Sequence, residues 1–272
     1  MAARRTLLAV HAHPDDECIS TGGILARYAA EGVRTVLVTC TDGAVGEISD
    51  PSLASPENLV EVRSRELDAS VRILNISRLV KLGYRDSGMD GTADNNHPAS
   101  FQQADLEEAI RRVVDVVREE QPQIIVTYDE RGGYGHPDHI RAHQVAVAAF
   151  NRTHDEPNGP TKLYYAVIPR SALRAFGERL RAAGIETPFS EIDDSAMTIG
   201  VNDDRVTTTV DVSAYVDAKR AALEAHATQM GPDQFFMKLP QELFAEAFGR
   251  ETFQRMAGPG PNAETDLYQG IA

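Results

Sequence analysis

Two His-Pro-Asp tripeptides, each placed shortly after an apolar, β-branched run, constrain this chain more than anything else in it. The first lies in HAHPDDE at 11–17, behind a short strand-like run at 6–10. The second lies in DERGGYGHPDH at 129–139, behind IIVTY at 124–128, which is β-branched almost throughout. A continuous apolar run that passes into a polar turn and then into an amphipathic stretch is the signature of a parallel strand buried on both faces.

The same alternation continues along the chain. A helical stretch at 22–31 is stopped by Gly32, and TVLVT at 35–39 reads as a second buried strand. After a long loop at 41–56, the apolar positions Leu59, Val62, Leu67, Val71 and Leu74 give a helix over 57–74. A third strand is expected at 79–82, a Gly/Asp/Asn-rich loop at 83–102, and a helix at 103–120 ended by Pro122. Beyond residue 151 the pattern weakens; 163–168 and 206–210 read as strands, 216–226 and 242–248 as helices. The expected fold is α/β: a Rossmann-like, mostly parallel sheet with helices on both faces. Residues 1–160 are expected to form the metal-binding catalytic core. Residues 161–272 are expected to complete the sheet and cap the substrate site within one domain. In such sheets ligands bind beyond the carboxyl ends of the strands, so the two His-Pro-Asp clusters are expected to meet in one crevice.

Charge and composition narrow the partners. The formal net charge of −14 speaks against nucleic acid and anionic membrane surfaces. No run approaches the ~18–20 apolar residues that span a bilayer. The N-terminal apolar run passes straight into HAHPDDE without a small-residue cleavage site, so it reads as a strand and not as a signal. Two cysteines, Cys18 and Cys40, give no disulfide framework and suit a reducing cytoplasm. The expected partner is a small molecule, and the sequence leaves room for a homo-oligomer.

The clusters carry the chemistry. Zinc favours nitrogen, sulfur and carboxylate ligands, and a catalytic zinc usually keeps three protein ligands and an open position. A His and an Asp from 13–17 with a His from 136–139 would supply that set, leaving a neighbouring carboxylate as a base. One His-Pro-Asp turn alone would read as a helix cap, with Asp accepting N–H bonds. Two of them on one expected sheet edge favour a metal site. His11 alternates with His13 and is at least as well suited to a supporting role as to ligation; His143, one turn beyond His139, is placed as a supporting or surface histidine. The glycines at 132, 133 and 135 lack the dinucleotide-binding spacing and instead present Tyr134 on a loop.

VHAHPDDE at 10–17, RDSGMDG at 85–91, VTYDERGGYGHPDH at 126–139, AHATQ at 225–229 and ETDL at 264–267 resemble the LmbE-like, or PIG-L-type, zinc N-acetylglucosaminyl deacetylases. Within that family the likeness is to the actinobacterial branch that holds the mycothiol-pathway deacetylase and the mycothiol S-conjugate amidase. The resemblance implies zinc, with ferrous iron as the alternative ion, on His13, Asp16 and His139. It implies Asp15 as general base, and His136, oriented by Asp138, as the group that stabilises the oxyanion or protonates the leaving amine. Tyr134 would polarise the amide carbonyl, and Arg63 and Asp86 would contact the sugar or inositol, with Arg65 close enough in sequence to compete with Arg63. CIST after the first motif and Gly135 before His136 separate the chain from the amidase. The implied activity is removal of an acetyl group from an N-acetylated amino sugar. The alternatives are amidase action on a thiol conjugate, deacetylation of another glycoside such as an antibiotic intermediate, and a non-catalytic sugar-binding α/β module.

Overall fold

The computed structural model describes residues 4–185, 199–231 and 234–271. Residues 1–3, 186–198, 232–233 and 272 lie outside the described residues. The chain runs β1 (Thr6–His11), α1 (Asp16–Ser20), α2 (Gly22–Ala30), β2 (Arg34–Thr41), α3 (Leu59–Ile73), β3 (Arg78–Tyr84), α4 (Leu106–Glu120), β4 (Ile124–Tyr128), α5 (Gly132–Gly135) and α6 (Pro137–Thr153). It continues with β5 (Lys162–Ala166), α7 (Arg170–Ala182), β6 (Thr208–Asp211), α8 (Val216–Ala225), α9 (Phe235–Lys238), α10 (Gln241–Phe248) and β7 (Arg250–Ala257).

Seven strands form one sheet in the order β3-β2-β1-β4-β5-β7-β6. Strands β1 to β5 are parallel, and β7 pairs antiparallel with both β5 and β6. The order reverses between β1 and β4, which open a crevice at their carboxyl ends. HAHPDDE leaves one lip of that crevice and DERGGYGHPDH the other.

Alternate residues of the buried strands feed two cores. Leu7, Ala9, Leu37, Ile124 and Val126 pack on one face with Leu25, Leu67 and Leu223, from α2, α3 and α8. Leu8, Val10, Val36, Val38 and Ile125 face the other side, against α4 and α6. This double coverage is why β1 and β4 are buried at every position.

Helix α4 starts at Leu106, not near 103, because the Asp105 carboxylate accepts N–H bonds from Glu107 and Glu108. Two elements had no clear signal in the sequence. Helix α7 is rich in arginine, and β7 mixes buried with partly exposed residues while carrying Arg250, Glu251 and Arg255. Glu251 binds β7 to the core: its carboxylate accepts from the N–H groups of Gly23 and Ile24 at the start of α2, and Lys219 of α8 lies 2.6 Å away. An anion at a helix N-terminus is well placed against the backbone N–H groups and the helix dipole. Gly23 has no substitute there, since a Cβ would lie 2.4 Å from a Val212 methyl. Among the described residues no helix is long and apolar enough to cross a membrane.

Candidate metal centre

The crevice between β1 and β4 gathers His13, Asp15 and Asp16 from one loop and His136, Asp138 and His139 from the other, with Asp86 arriving after β3. All are buried except Asp15, which is partly exposed. The second cluster is preorganised by its helix. Pro137 occupies the first turn of α6, and Nδ1 of His136 accepts the Asp138 N–H at 3.1 Å. The turn is therefore a cap as well as a site, and the capping side chain is the histidine, not the aspartate.

Hydrogen-bond directions fix which ring nitrogens point inward. The Gly132 carbonyl can only accept, so His139 carries its proton on Nδ1, 3.1 Å away, and turns the Nε2 lone pair to the crevice. The Asp138 carboxylate likewise accepts from His13 Nε2 at 3.2 Å, leaving His13 Nδ1 inward. Asp16 Oδ2 accepts from the Tyr128 hydroxyl and from the His13 N–H, each at 2.7 Å. The three residues form a triangle in which the two imidazoles meet different oxygens of one carboxylate: His13 Nδ1 lies 3.2 Å from His139 Nε2, His139 Nε2 lies 3.4 Å from Asp16 Oδ1, and His13 Nδ1 lies 3.4 Å from Asp16 Oδ2. Tetrahedral zinc with bonds of about 2.0–2.1 Å places its ligand atoms roughly 3.3–3.4 Å apart. Two imidazole nitrogens and a carboxylate gathered at that spacing are donors of the type and number that a divalent metal takes, so this donor set fits one. One nitrogen each of His13, His136 and His139 also falls within 4.8 Å of the others, a looser grouping.

The electrostatics agree. Burial lowers His139 to a pKa of about 4, with Asp16 pulling against it, so the ring is neutral and its lone pair available. Burial also disfavours a charged His13, but hydrogen bonds to Asp138, Asp16 and Asp86 outweigh it and raise its pKa well above the usual value. The carboxylate field that draws a proton onto His13 is the field that would draw a metal ion. Asp16 is held well below the usual carboxylate range, because His139 and His13 override the effect of burial. Asp15 goes the other way: burial raises it to about 6, Arg63 opposes the shift and Asp16 adds to it. Two adjacent carboxylates thus have opposite proton affinities, as separate ligand and base roles would require.

Asp15 adopts φ 112°, ψ −30°, a backbone region that non-glycine residues rarely enter and that costs about 1–3 kcal/mol. Arg63 of α3 holds it there. One guanidinium nitrogen donates to the Pro14 carbonyl at 2.5 Å and to Asp15 Oδ2 at 3.0 Å; the other donates to the Gly43 carbonyl at 2.9 Å. Glycines at 43 and 46 make room, since a Cβ on either would lie 2.3 or 2.5 Å from the guanidinium. Arg65, by contrast, faces solvent and pairs with Glu61, which separates the two arginines that were close in sequence.

One expectation changes. Asp138 was expected to orient His136; its side chain instead bonds His13 Nε2 and accepts from the N–H and hydroxyl of Ser87. Asp86, which the resemblance places at the sugar or inositol, is buried with Oδ1 3.5 Å from His13 Nε2 and 2.8 Å from the Gly88 N–H, part of the carboxylate wall behind His13. The loop at 83–102 is cross-braced by Asn95, whose side-chain amide donates to the carbonyls of Ser87 and Met89. Tyr134 is 45% exposed on its loop, with its ring centroid 5.0 Å from that of His139. His11 bonds Thr21 away from the crevice and His143 bonds the Tyr128 carbonyl, the supporting places expected of both. Tyr128 and Ser87 went unnoticed in the sequence, although both sit beside the motifs; a hydroxyl at a strand end next to a metal cluster was the available signal.

Comparison with known proteins adds an independent line. The profile of the PIG-L family, described as GlcNAc-PI de-N-acetylase, matches residues 8–150. A protein of Acidothermus cellulolyticus named 1D-myo-inositol 2-acetamido-2-deoxy-alpha-D-glucopyranoside deacetylase is 47% identical over 281 residues, covering 98% of this chain and 95% of its own. One of the same name from Geodermatophilus obscurus is 42% identical over 292 residues and is covered over 99% of its length. Among solved structures, the N,N'-diacetylchitobiose deacetylase of Pyrococcus horikoshii superposes with a TM-score of 0.64 at 21% identity, covering 94% of this chain and 85% of the other.

Proposed function

The chain belongs to the PIG-L, or GlcNAc-PI de-N-acetylase, family, and on that premise we propose that it hydrolyses the N-acetyl amide of an N-acetylglucosaminyl-inositol, releasing acetate and the free amine. The observation that carries the substrate is near-full-length identity of 47% to a relative named for that reaction. The chemistry is supported by the His13, Asp16 and His139 triangle beside a carboxylate of raised pKa.

In this reading His13, Asp16 and His139 hold a divalent ion, zinc or ferrous iron, which such donors accept alike. When bound, the ion supplies Lewis acidity to water and to the amide carbonyl. Asp15 takes the proton of the attacking water as its oxygen bonds to the carbonyl carbon. A pKa near 6 keeps this carboxylate ionised at neutral pH yet basic enough to accept. His136 accepts a backbone N–H at Nδ1 and, with its pKa lowered by burial and by His13, is a neutral ring with the proton on Nε2. That tautomer suits donation to the developing oxyanion, not proton delivery, and the Tyr134 hydroxyl is the second donor. The proton held by Asp15 then passes to the departing nitrogen as the C–N bond breaks.

The test is release of free amine from N-acetylglucosamine, its inositol glycoside and a mycothiol S-conjugate, using metal-free, zinc-loaded and iron-loaded protein. Metal-dependent turnover of the inositol glycoside above the other two is the expected result. Preference for the conjugate would make the protein an amidase, and no turnover of any substrate by loaded protein would remove the assignment.

A further inference from the structure

Beneath the triangle lies a second closed cluster, formed by Glu17, Cys18, Ser70 and His226, all fully buried. Its spacing is that of hydrogen bonds and not of metal ligands. His226 Nε2 lies 2.8 Å from Glu17 Oε1, well inside the roughly 3.3 Å that separates two ligands of one zinc. Glu17 Oε1 also accepts from the Ser70 hydroxyl at 2.5 Å and the Cys18 thiol at 3.1 Å. Its other oxygen, Oε2, accepts the backbone N–H of Asp15 at 3.0 Å. Both oxygens are engaged, so the carboxylate cannot rotate.

We propose that Glu17, locked by His226, is a positioning residue that holds the strained backbone of Asp15 so that its carboxylate is presented to the reacting water. The inference rests on Asp15 being the base. At φ 112° the Asp15 backbone would relax toward ordinary geometry unless restrained, and relaxation would swing the carboxylate away. Arg63 restrains the carbonyl side of Pro14 and the carboxylate, while Glu17 restrains the N–H. His226 reaches Glu17 from the end of α8, 209 residues away in sequence. The turn that carries it is itself tied down, with the Thr228 N–H and hydroxyl on Glu66 and the Ser49 hydroxyl on the Ala227 carbonyl. The C-terminal part of the chain thus sets the geometry of a base carried by the first loop.

The full-length protein would be compared with Glu17→Gln, His226→Leu and His226→Gln, with kcat and KM taken per zinc-loaded site and zinc content measured. The backbone amide resonance of Asp15 would be followed by NMR in the metal-free proteins. His226→Leu should lower kcat about 10- to 100-fold, as an ångström-scale misplacement does. KM should stay within roughly threefold and zinc content should be unchanged. His226→Gln, which returns an N–H donor, should recover most of the loss. The Asp15 amide proton, deshielded by a carboxylate acceptor, should move upfield in Glu17→Gln. Unchanged kcat in His226→Leu, equal losses in both His226 variants, or an unmoved Asp15 amide would each overturn the proposal. Failure of all three variants to fold would also overturn it, by assigning the cluster to stability alone. An inactive wild-type protein would instead strike the proposed function, and the amide resonance would still decide the positioning role.

Discussion

The Asp138 carboxylate faces Nε2 of His13 at 3.2 Å across 125 residues of sequence, and it thereby decides which nitrogen of His13 looks into the crevice. A carboxylate that orients a metal-binding imidazole is worth about 10- to 100-fold in metal affinity or activity. Asp138→Asn can present an N–H to the same nitrogen and let the ring adopt the other tautomer. Zinc affinity should fall by that factor with the fold intact; titration with a zinc chromophore checks it.

Asp15→Asn should keep stoichiometric zinc, because Asp15 lies outside the triangle, and should lose about 100- to 10,000-fold in kcat, the usual worth of a general base. Metal analysis beside steady-state kinetics separates this from ligand loss, which His139→Ala should cause outright.

The pH dependence has a definite sign. Burial raises the folded pKa of Asp15 from 3.8 to about 6, so its ionised form is disfavoured by the fold. The resulting destabilisation is absent below about 4, grows between 4 and 6, and is complete above 6. Metal-free Asp15→Asn should therefore gain stability relative to wild type as pH rises through this window, as denaturant melts at pH 4 and pH 7.5 would reveal. For the loaded enzyme, kcat should fall on the acid side with an inflection at or below about 6, since a nearby cation favours the carboxylate.

Arg63→Met should lower kcat more than it changes zinc binding, because it releases the Pro14 carbonyl and the Asp15 carboxylate together. Arg65→Met should be nearly silent, since its ion pair with Glu61 is at the surface. Kinetics on the two variants, prepared side by side, distinguish a buried restraint from a solvated one.

Gly132→Ala should weaken metal binding without touching a ligand. Gly132 has φ +63°, and an added Cβ would lie 2.6 Å from the His139 Cβ and 2.8 Å from the Ile140 nitrogen. Wild-type protein with zinc at 100 times its Kd should gain about 2.7 kcal/mol over the metal-free form. The variant should gain clearly less at the same zinc concentration, as paired thermal melts would show.

The residues of the candidate site were legible in the sequence because their chemistry is local: His-Pro-Asp turns at the ends of β-branched runs, with alternating strands and helices that bring those ends together. Strand patterning likewise placed β1, β2 and β4, because parallel strands buried on both faces are mostly apolar. What the sequence alone could not supply is direction. Whether Asp138 serves His136 or His13, and whether Arg63 or Arg65 turns inward, depends on contacts that exist only once β1 and β4 are neighbours. The link from His226 to Glu17 and on to Asp15 is more remote still. It needs α8 packed across α2 and α3, and a buried hydrogen bond between residues so far apart leaves no periodicity in the chain. Sequence determined which groups are present at the site; tertiary structure decided which atom of each faces the crevice and what holds the Asp15 backbone in place.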